Sequence, residues 1–253
     1  MLAKTFLLLA SLALASAAPA KREAGRPGCG PKPVAPTLPT HGNGAELPAP
    51  AADLVLKYIA LGHGIQNYTC VVPNATTHTA VATGALAALY DARPLYPNAG
   101  PGSLPSVEAF DALTTNAVWG SPLPLVSDGV TRYGASLDPF PAPADLALPN
   151  IAPLKQIGVH FFDNKGVPTF KVGQGILKAA KLNGIKAPAS ADPGPEETGA
   201  VDWLQLGDKG GSKGITAVYR VATAGGVAHK CTTDGASDSV PYAAYYWLYG
   251  PKA

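Results

Sequence analysis

The segment Gly62-His63-Gly64-Ile65-Gln66-Asn67-Tyr68-Thr69-Cys70 constrains the fold more than any other part of the chain. From Gly64 onward it reads as a strand, and a strand sends successive side chains to opposite faces. Gln66, Tyr68 and Cys70 therefore share one face, and Ile65, Asn67 and Thr69 share the other. If Cys70 is bridged in the interior, Gln66 and Tyr68 point inward beside it and Asn67 points outward. Asn67-Tyr68-Thr69 is also an N-glycosylation sequon, which needs an exposed asparagine. The two constraints agree. Asn74-Ala75-Thr76 is a second sequon just past the strand. The segment thus predicts a secreted, disulfide-bearing β-protein.

The rest of the chain has the same texture. Leu54–Leu61 and Gly64–Val72 read as two strands and Ala80–Tyr90 as a third, because Gly84 and the stop Asp91-Ala92-Arg93-Pro94 disfavour a helix there. Eleven prolines lie between Asp91 and Lys155 and keep regular structure short. Ser106–Leu113 predicts a short helix capped by Ser103 or Ser106, with Phe110 and Leu113 facing inward. Val130–Tyr133 reads as a short strand, and Pro139–Pro153 as an ordered loop wrapped over the domain, with a fully disordered insert as the alternative. Gln156–Phe162 and Val167–Val172 form a hairpin around Asp163-Asn164-Lys165-Gly166. Gln174–Asn183 fits a helix or an exposed strand. Ala200–Leu206, Gly214–Thr223 and Val240–Tyr249 are strands separated by Gly-rich turns. Helices and strands do not alternate, which argues against a parallel α/β sheet. The expected fold is all-β or mainly β: one sandwich or barrel with long Pro/Gly-rich loops and at most one or two short helices.

The N-terminus reads as a secretory leader. Lys4 precedes an apolar run from Phe6 to Ala15, too short to span a membrane, and Ala15-Ser16-Ala17 offers small residues for cleavage. This places a signal peptide at residues 1–17 and a flexible extension at 18–46, with a dibasic trimming site at Lys21-Arg22. A single β-rich domain follows at 47–253. Charged residues are only 14% of the chain, yet hydrophobic residues reach 47%, enough for a core. The net charge is +2 with no basic block beyond the leader, which disfavours nucleic acid or an anionic membrane as partner. Of three cysteines, Cys70 and Cys231 lie in strand-like surroundings and are expected to pair. Cys29 is then free or intermolecular, so the protein is expected to be a monomer or a dimer through Cys29.

Few residues point to chemistry. There is no Gly-x-Ser-x-Gly elbow, no Gly-x-Gly-x-x-Gly fingerprint, no His-Glu-x-x-His and no Cys-x-x-Cys. No metal and no cofactor is expected. An inward Gln66 needs hydrogen-bond partners, since an unpaired buried amide costs roughly 1–3 kcal/mol. Candidates on other strands are His160, Asp202 and Arg220, which form either a catalytic cluster or a network that sets strand register. His63, between two glycines, is a ligand contact or a turn residue. Alternation places Tyr245, Trp247 and Tyr249 on one face of the last strand and Tyr242 and Tyr246 on the other. The first face, with Trp203 as a further candidate, stacks on sugar rings if it is open and is core if it is not.

Five ordered motifs carry a family resemblance. They are Gly64–Cys70, Gly158–Phe162 with Pro168-Thr169-Phe170, Val201–Leu206, Val218–Gly226 and Val240–Trp247. Over about Leu47 to Gly250 the chain resembles the secreted fungal branch of a family of unknown function numbered 3455. Some fungal members carry the name malate dehydrogenase, but the dinucleotide fingerprint is missing here. The resemblance implies no activity for particular residues. The reading is an extracellular or wall-associated protein that binds a sugar or small molecule without catalysis. The alternatives are a secreted enzyme centred on His160 and a structural or host-interaction protein.

Overall fold

The structure is a computed structural model that describes residues 35–42, 44–74 and 77–252. The expected signal peptide, the dibasic pair and Cys29 lie outside the described residues. Among those described, eight strands close into one antiparallel barrel. In chain order they are β1 (Leu54–Asn74), β2 (Thr77–Asp91), β3 (Gln156–Phe162), β4 (Pro168–Val172), β5 (Gly175–Ile185), β6 (Trp203–Asp208), β7 (Ala217–Gly225) and β8 (Ser237–Pro251). One helix, α1 (Val107–Gly120), lies between β2 and β3. Each strand pairs with the next, and β8 returns to β1, so no sheet edge is left unpaired.

Closure depends on the length of β1. The two strands expected at Leu54–Leu61 and Gly64–Val72 are one continuous element. Gly62-His63-Gly64 does not break it because these residues pair with Ala244, Ala243 and Tyr242 of β8. The glycines serve curvature instead. A Cβ on Gly62 would come within 2.5 Å of the Tyr246 ring, and one on Gly64 within 1.9 Å of the Leu86 carbonyl oxygen on β2. Bare backbone is what lets β1 curl against its neighbours there.

Strand alternation produces two cores. Tyr242, Ala244, Tyr246 and Leu248 of β8 point into the lumen, where they meet Ala87, Leu89, Phe170 and Leu177. Ala243, Tyr245, Trp247 and Tyr249 point outward into a second cluster with Phe110, Leu113 and Ala117 of α1. The Ser106 hydroxyl accepts a hydrogen bond from the Ala109 amide, so the expected cap holds and Phe110 and Leu113 face the barrel. The helix runs seven residues beyond the expected Leu113 because Ala117 and Val118 continue the buried stripe. Phe110 stacks on Tyr245 at 4.4 Å between ring centroids, and the Tyr245 hydroxyl donates to the Phe110 carbonyl at 2.7 Å. Aromatic pairs of this kind add roughly 0.5–1.5 kcal/mol beyond their area burial.

Loops complete the outer layer. Leu146 and Leu148 are buried in the segment expected as an ordered wrap, and Leu146 bridges Leu154. Leu38 and Leu47 pack against the same cluster, so the packed chain reaches N-terminal to Leu47. Val130–Tyr133 is not the expected strand: Val130 is exposed, and the Asp128 carboxylate gathers the Val130 and Thr131 amides into a turn. Gln174–Asn183 resolves as strand β5.

Cys70 and Cys231 are bonded, with Cα atoms 5.4 Å apart, and tie the end of β1 to the loop between β7 and β8. They are 161 residues apart in sequence. A Cys70→Ser/Cys231→Ser double variant is expected to lose about 2–4 kcal/mol in urea unfolding, with wild type in reductant matching it. Gly64→Ala is expected to destabilise by at least roughly 1–3 kcal/mol in the same assay, because the added methyl meets backbone that cannot rotate away.

Candidate functional site

A cavity of about 680 Å3 opens at one end of the lumen, and all eight strands contribute to its wall. It exists because the inward positions there are small or polar. A bulge between β1 and β2 separates the Gln66–Ala85 pair from the Tyr68–Ala82 pair, and Ala80, Ala82 and Ala85 leave space in front of them. Phe162, Phe170 and Leu204 supply apolar wall.

Polar groups converge on this space. Gln66 is inward and buried, as alternation predicts, and its amide nitrogen donates to the Gly84 carbonyl. Its carbonyl oxygen accepts from Arg220 Nη1 at 3.5 Å. Arg220 lies on the inward face of β7 between Leu204 and Tyr246 on the neighbouring strands. Its Nε and Nη2 donate to the Asp202 carbonyl oxygen at 3.0 and 2.9 Å. Tyr68 donates to the Gly226 carbonyl at 2.6 Å, and burial pushes its hydroxyl up to about 12. Tyr246 shares a hydrogen bond with Tyr242 at 2.8 Å deeper in the lumen.

His160 lies flat on Phe170, with ring centroids 3.9 Å apart, and is 4% exposed. Its Nδ1 lies 3.0 Å from the Thr169 carbonyl oxygen. A carbonyl only accepts, so Nδ1 is the donor and neutral His160 keeps its lone pair on Nε2. Burial pushes its pKa down to about 4, and the Arg220 charge adds to the shift. The resting side chain is thus an uncharged acceptor beside a cation.

His160, Asp202 and Arg220 all line the cavity, but they do not form a relay. The Asp202 carboxylate turns to Lys186, with 3.2 Å between Oδ1 and Nζ, and only its backbone carbonyl meets Arg220. No hydrogen bond joins His160 to Asp202 among the described residues.

Of the expected ligand contacts, Gln66 and Tyr68 line the cavity and the others do not. Tyr245 and Trp247 are fully buried, and Trp203 is 5% exposed. All three belong to the outer cluster, so the open sugar-stacking face is replaced by a packed layer. His63 is not in a turn and does not line the cavity. It faces outward within β1, buried, with Nε2 3.3 Å from the carbonyl oxygen of Pro122, just past α1. Asn67 faces away from the cavity and is part-buried, its side-chain oxygen accepting from Ser239 at 2.9 Å. Asn74 accepts from the Thr77 amide across the β1–β2 turn, while Ala75 and Thr76 of its sequon lie outside the described residues.

Sequence reasoning missed Phe162, Phe170, Tyr246 and Lys181 as wall residues. Alternation from His160 and Gln66 carries the first three to the inner face once the barrel is closed. A second polar cluster was also missed. His229 lies 3.2 Å from both Glu196 and Asp238, and Arg132 lies 2.9 Å from Glu196. This cluster clasps three loops at the barrel end. Among the described residues, no group of three or more His, Cys, Asp or Glu side chains is placed to hold a metal. No helix among them is long and apolar enough to cross a membrane.

Fold and site define an eight-stranded up-and-down antiparallel barrel with a polar-floored cavity in its mouth. The chain belongs to the DUF3455 family, described as a protein of unknown function, whose model matches residues 50–250. No curated protein and no solved structure matches the chain.

The buried His160 makes stability depend on pH. With its folded pKa near 4 and an ordinary unfolded value of 6.5, the unfolded chain binds the proton first as pH falls. Stability is therefore lost between pH 6.5 and 4, by up to about 3 kcal/mol from this group. His63, shifted down by burial, acts in the same direction. Urea midpoints of His160→Asn are expected to fall less steeply over this range than those of wild type. Equal slopes would refute the assignment.

Proposed function

We propose that the protein is an extracellular binding protein that holds a small molecule in the mouth of its barrel. One observation carries this reading: Gln66, His160 and Arg220, from three strands, converge on a cavity of about 680 Å3 walled by Phe162, Phe170 and Leu204. A closed barrel of eight strands is just wide enough either to be filled by side chains or to hold one small ligand. Here Tyr242, Tyr246 and Leu248 fill one part of the lumen, and small residues leave the other open. A cavity of this size lined by apolar walls and a few convergent polar groups suits a small ligand.

The extracellular part of the proposal rests on the leader-like N-terminus and on the disulfide, which is compatible with an oxidising compartment. Asn67 and Asn74 are the proposed glycan acceptors, and Cys29 the proposed link in any dimer. Catalysis is the less supported reading, because the candidate acid of the His160 cluster pairs outward with Lys186.

Ala82 is exposed, lies on the cavity wall and tests the site without touching its polar groups. A thermal-shift screen of sugars and small metabolites on wild type and Ala82→Trp separates mouth binding from binding elsewhere. A ligand at about 100 times its Kd adds about 2.7 kcal/mol, which is a rise of about 5–10 °C for a domain of this size. Hits are expected to shift wild type and leave Ala82→Trp unmoved. Hits that shift both proteins equally would remove the mouth as the site.

A further inference from the structure

The mouth cavity carries a charge that its own protein does not balance. The Arg220 guanidinium is half-buried, and every partner it has is neutral: the Asp202 carbonyl, the Gln66 amide oxygen and the Tyr246 phenol. Among the described residues, no carboxylate lies within ion-pair distance of it. Asp202, the one carboxylate of the cavity wall among the described residues, pairs with Lys186. Lys181 adds another cation to the same wall. An uncompensated charge in a partly desolvated place is unfavourable unless a counter-charge arrives.

The three contacts also hold the guanidinium still. The paired bonds from Nε and Nη2 to one carbonyl orient its plane, and Gln66, itself anchored on Gly84, steadies the other side. A planar fork held in place matches a carboxylate better than a spherical ion. Next to it the apolar faces of Phe162, Phe170 and Leu204 offer nothing to a small inorganic anion and a binding surface to an organic one.

We propose that the ligand of this cavity is an organic monocarboxylate, its carboxylate on Arg220 and its apolar body against the Phe162–Phe170 wall. This rests on the mouth being the binding site. Neutral His160 fits the arrangement, since an uncharged acceptor beside the head group accepts a hydrogen bond from a hydroxyl of the ligand and leaves the anion to Arg220.

The test is calorimetric titration of 2-naphthylacetate, of its neutral isostere 2-naphthylacetamide and of inorganic phosphate into wild type, Arg220→Gln, Arg220→Lys and Ala82→Trp. In wild type the acid is expected to bind roughly 10–100-fold tighter than the amide, as a charge-assisted bond implies, and the ratio should shrink as NaCl is raised. Arg220→Gln should bring acid and amide together by weakening the acid alone, and Arg220→Lys should restore part of the preference. The wild-type ratio and its salt dependence need no variant to fold. Equal binding of acid and amide, an unchanged ratio in Arg220→Gln, phosphate competing as well as the acid, or no binding by the acid would each overturn the proposal. If Ala82→Trp binds both naphthyl compounds as wild type does, it is the mouth site that fails.

Discussion

Pairing between β1 and β8 is the constraint on which everything else in this molecule depends. Leu54–Thr69 runs antiparallel to Ser237–Pro251 and joins the two ends of a meander of neighbouring strands. Without that seam the sheet has two long edges, an open lumen and no cavity. The seam is demanding in sequence terms. It requires β1 to stay extended through Gly62 and Gly64, and it requires the facing strand to be apolar on both sides. The disulfide from Cys70 reinforces the same region by holding the β7–β8 loop against β1.

A strand buried on both faces explains why Val240–Tyr249 carries no charged side chain. Inward residues of β8 fill the lumen, while its outward residues are roofed by α1 and the Pro-rich wrap. The roof leaves Tyr245 and Trp247 no access to solvent and gives them an anchoring role against Phe110 and Tyr96. The long insertion between β2 and β3 is therefore part of the fold and not an appendage. Its prolines limit helix to one segment, and its leucines cover the sheet.

The lumen divides into a filled part and an empty part by side-chain size. Tyr246 fits over the bare backbone of Gly62, whereas Ala80, Ala82 and Ala85 leave the mouth open. Charge divides it again. Burial keeps His160 neutral, and one backbone carbonyl, the Gln66 amide and the Tyr246 phenol, not carboxylates, meet Arg220. The mouth thus holds a guanidinium among neutral partners, the arrangement on which the proposed carboxylate ligand rests.

Much of this was legible in the residues. Period-2 alternation identified the inward Gln66 and Tyr68 and the two faces of β8, the surroundings of the three cysteines pointed to the Cys70–Cys231 bond, and Ser106 was one of two candidate helix caps. The meaning of each face was not legible. Alternation states which side chains travel together, but not what lies opposite them, so an aromatic face could equally be an open platform or a packed layer. The break suggested by Gly62-His63-Gly64 and the strand at Val130–Tyr133 failed for a related reason: local preference yielded to pairing with β8 in one case and to an Asp128-centred turn in the other. The β-class, the faces of β1 and β8 and the pairing of Cys70 with Cys231 were readable from the residues, because these follow from side-chain alternation and local residue chemistry. Closure into a barrel, the roof over β8 and the meeting of Gln66, His160 and Arg220 emerge in three dimensions alone, because they depend on contacts between strands far apart in the chain.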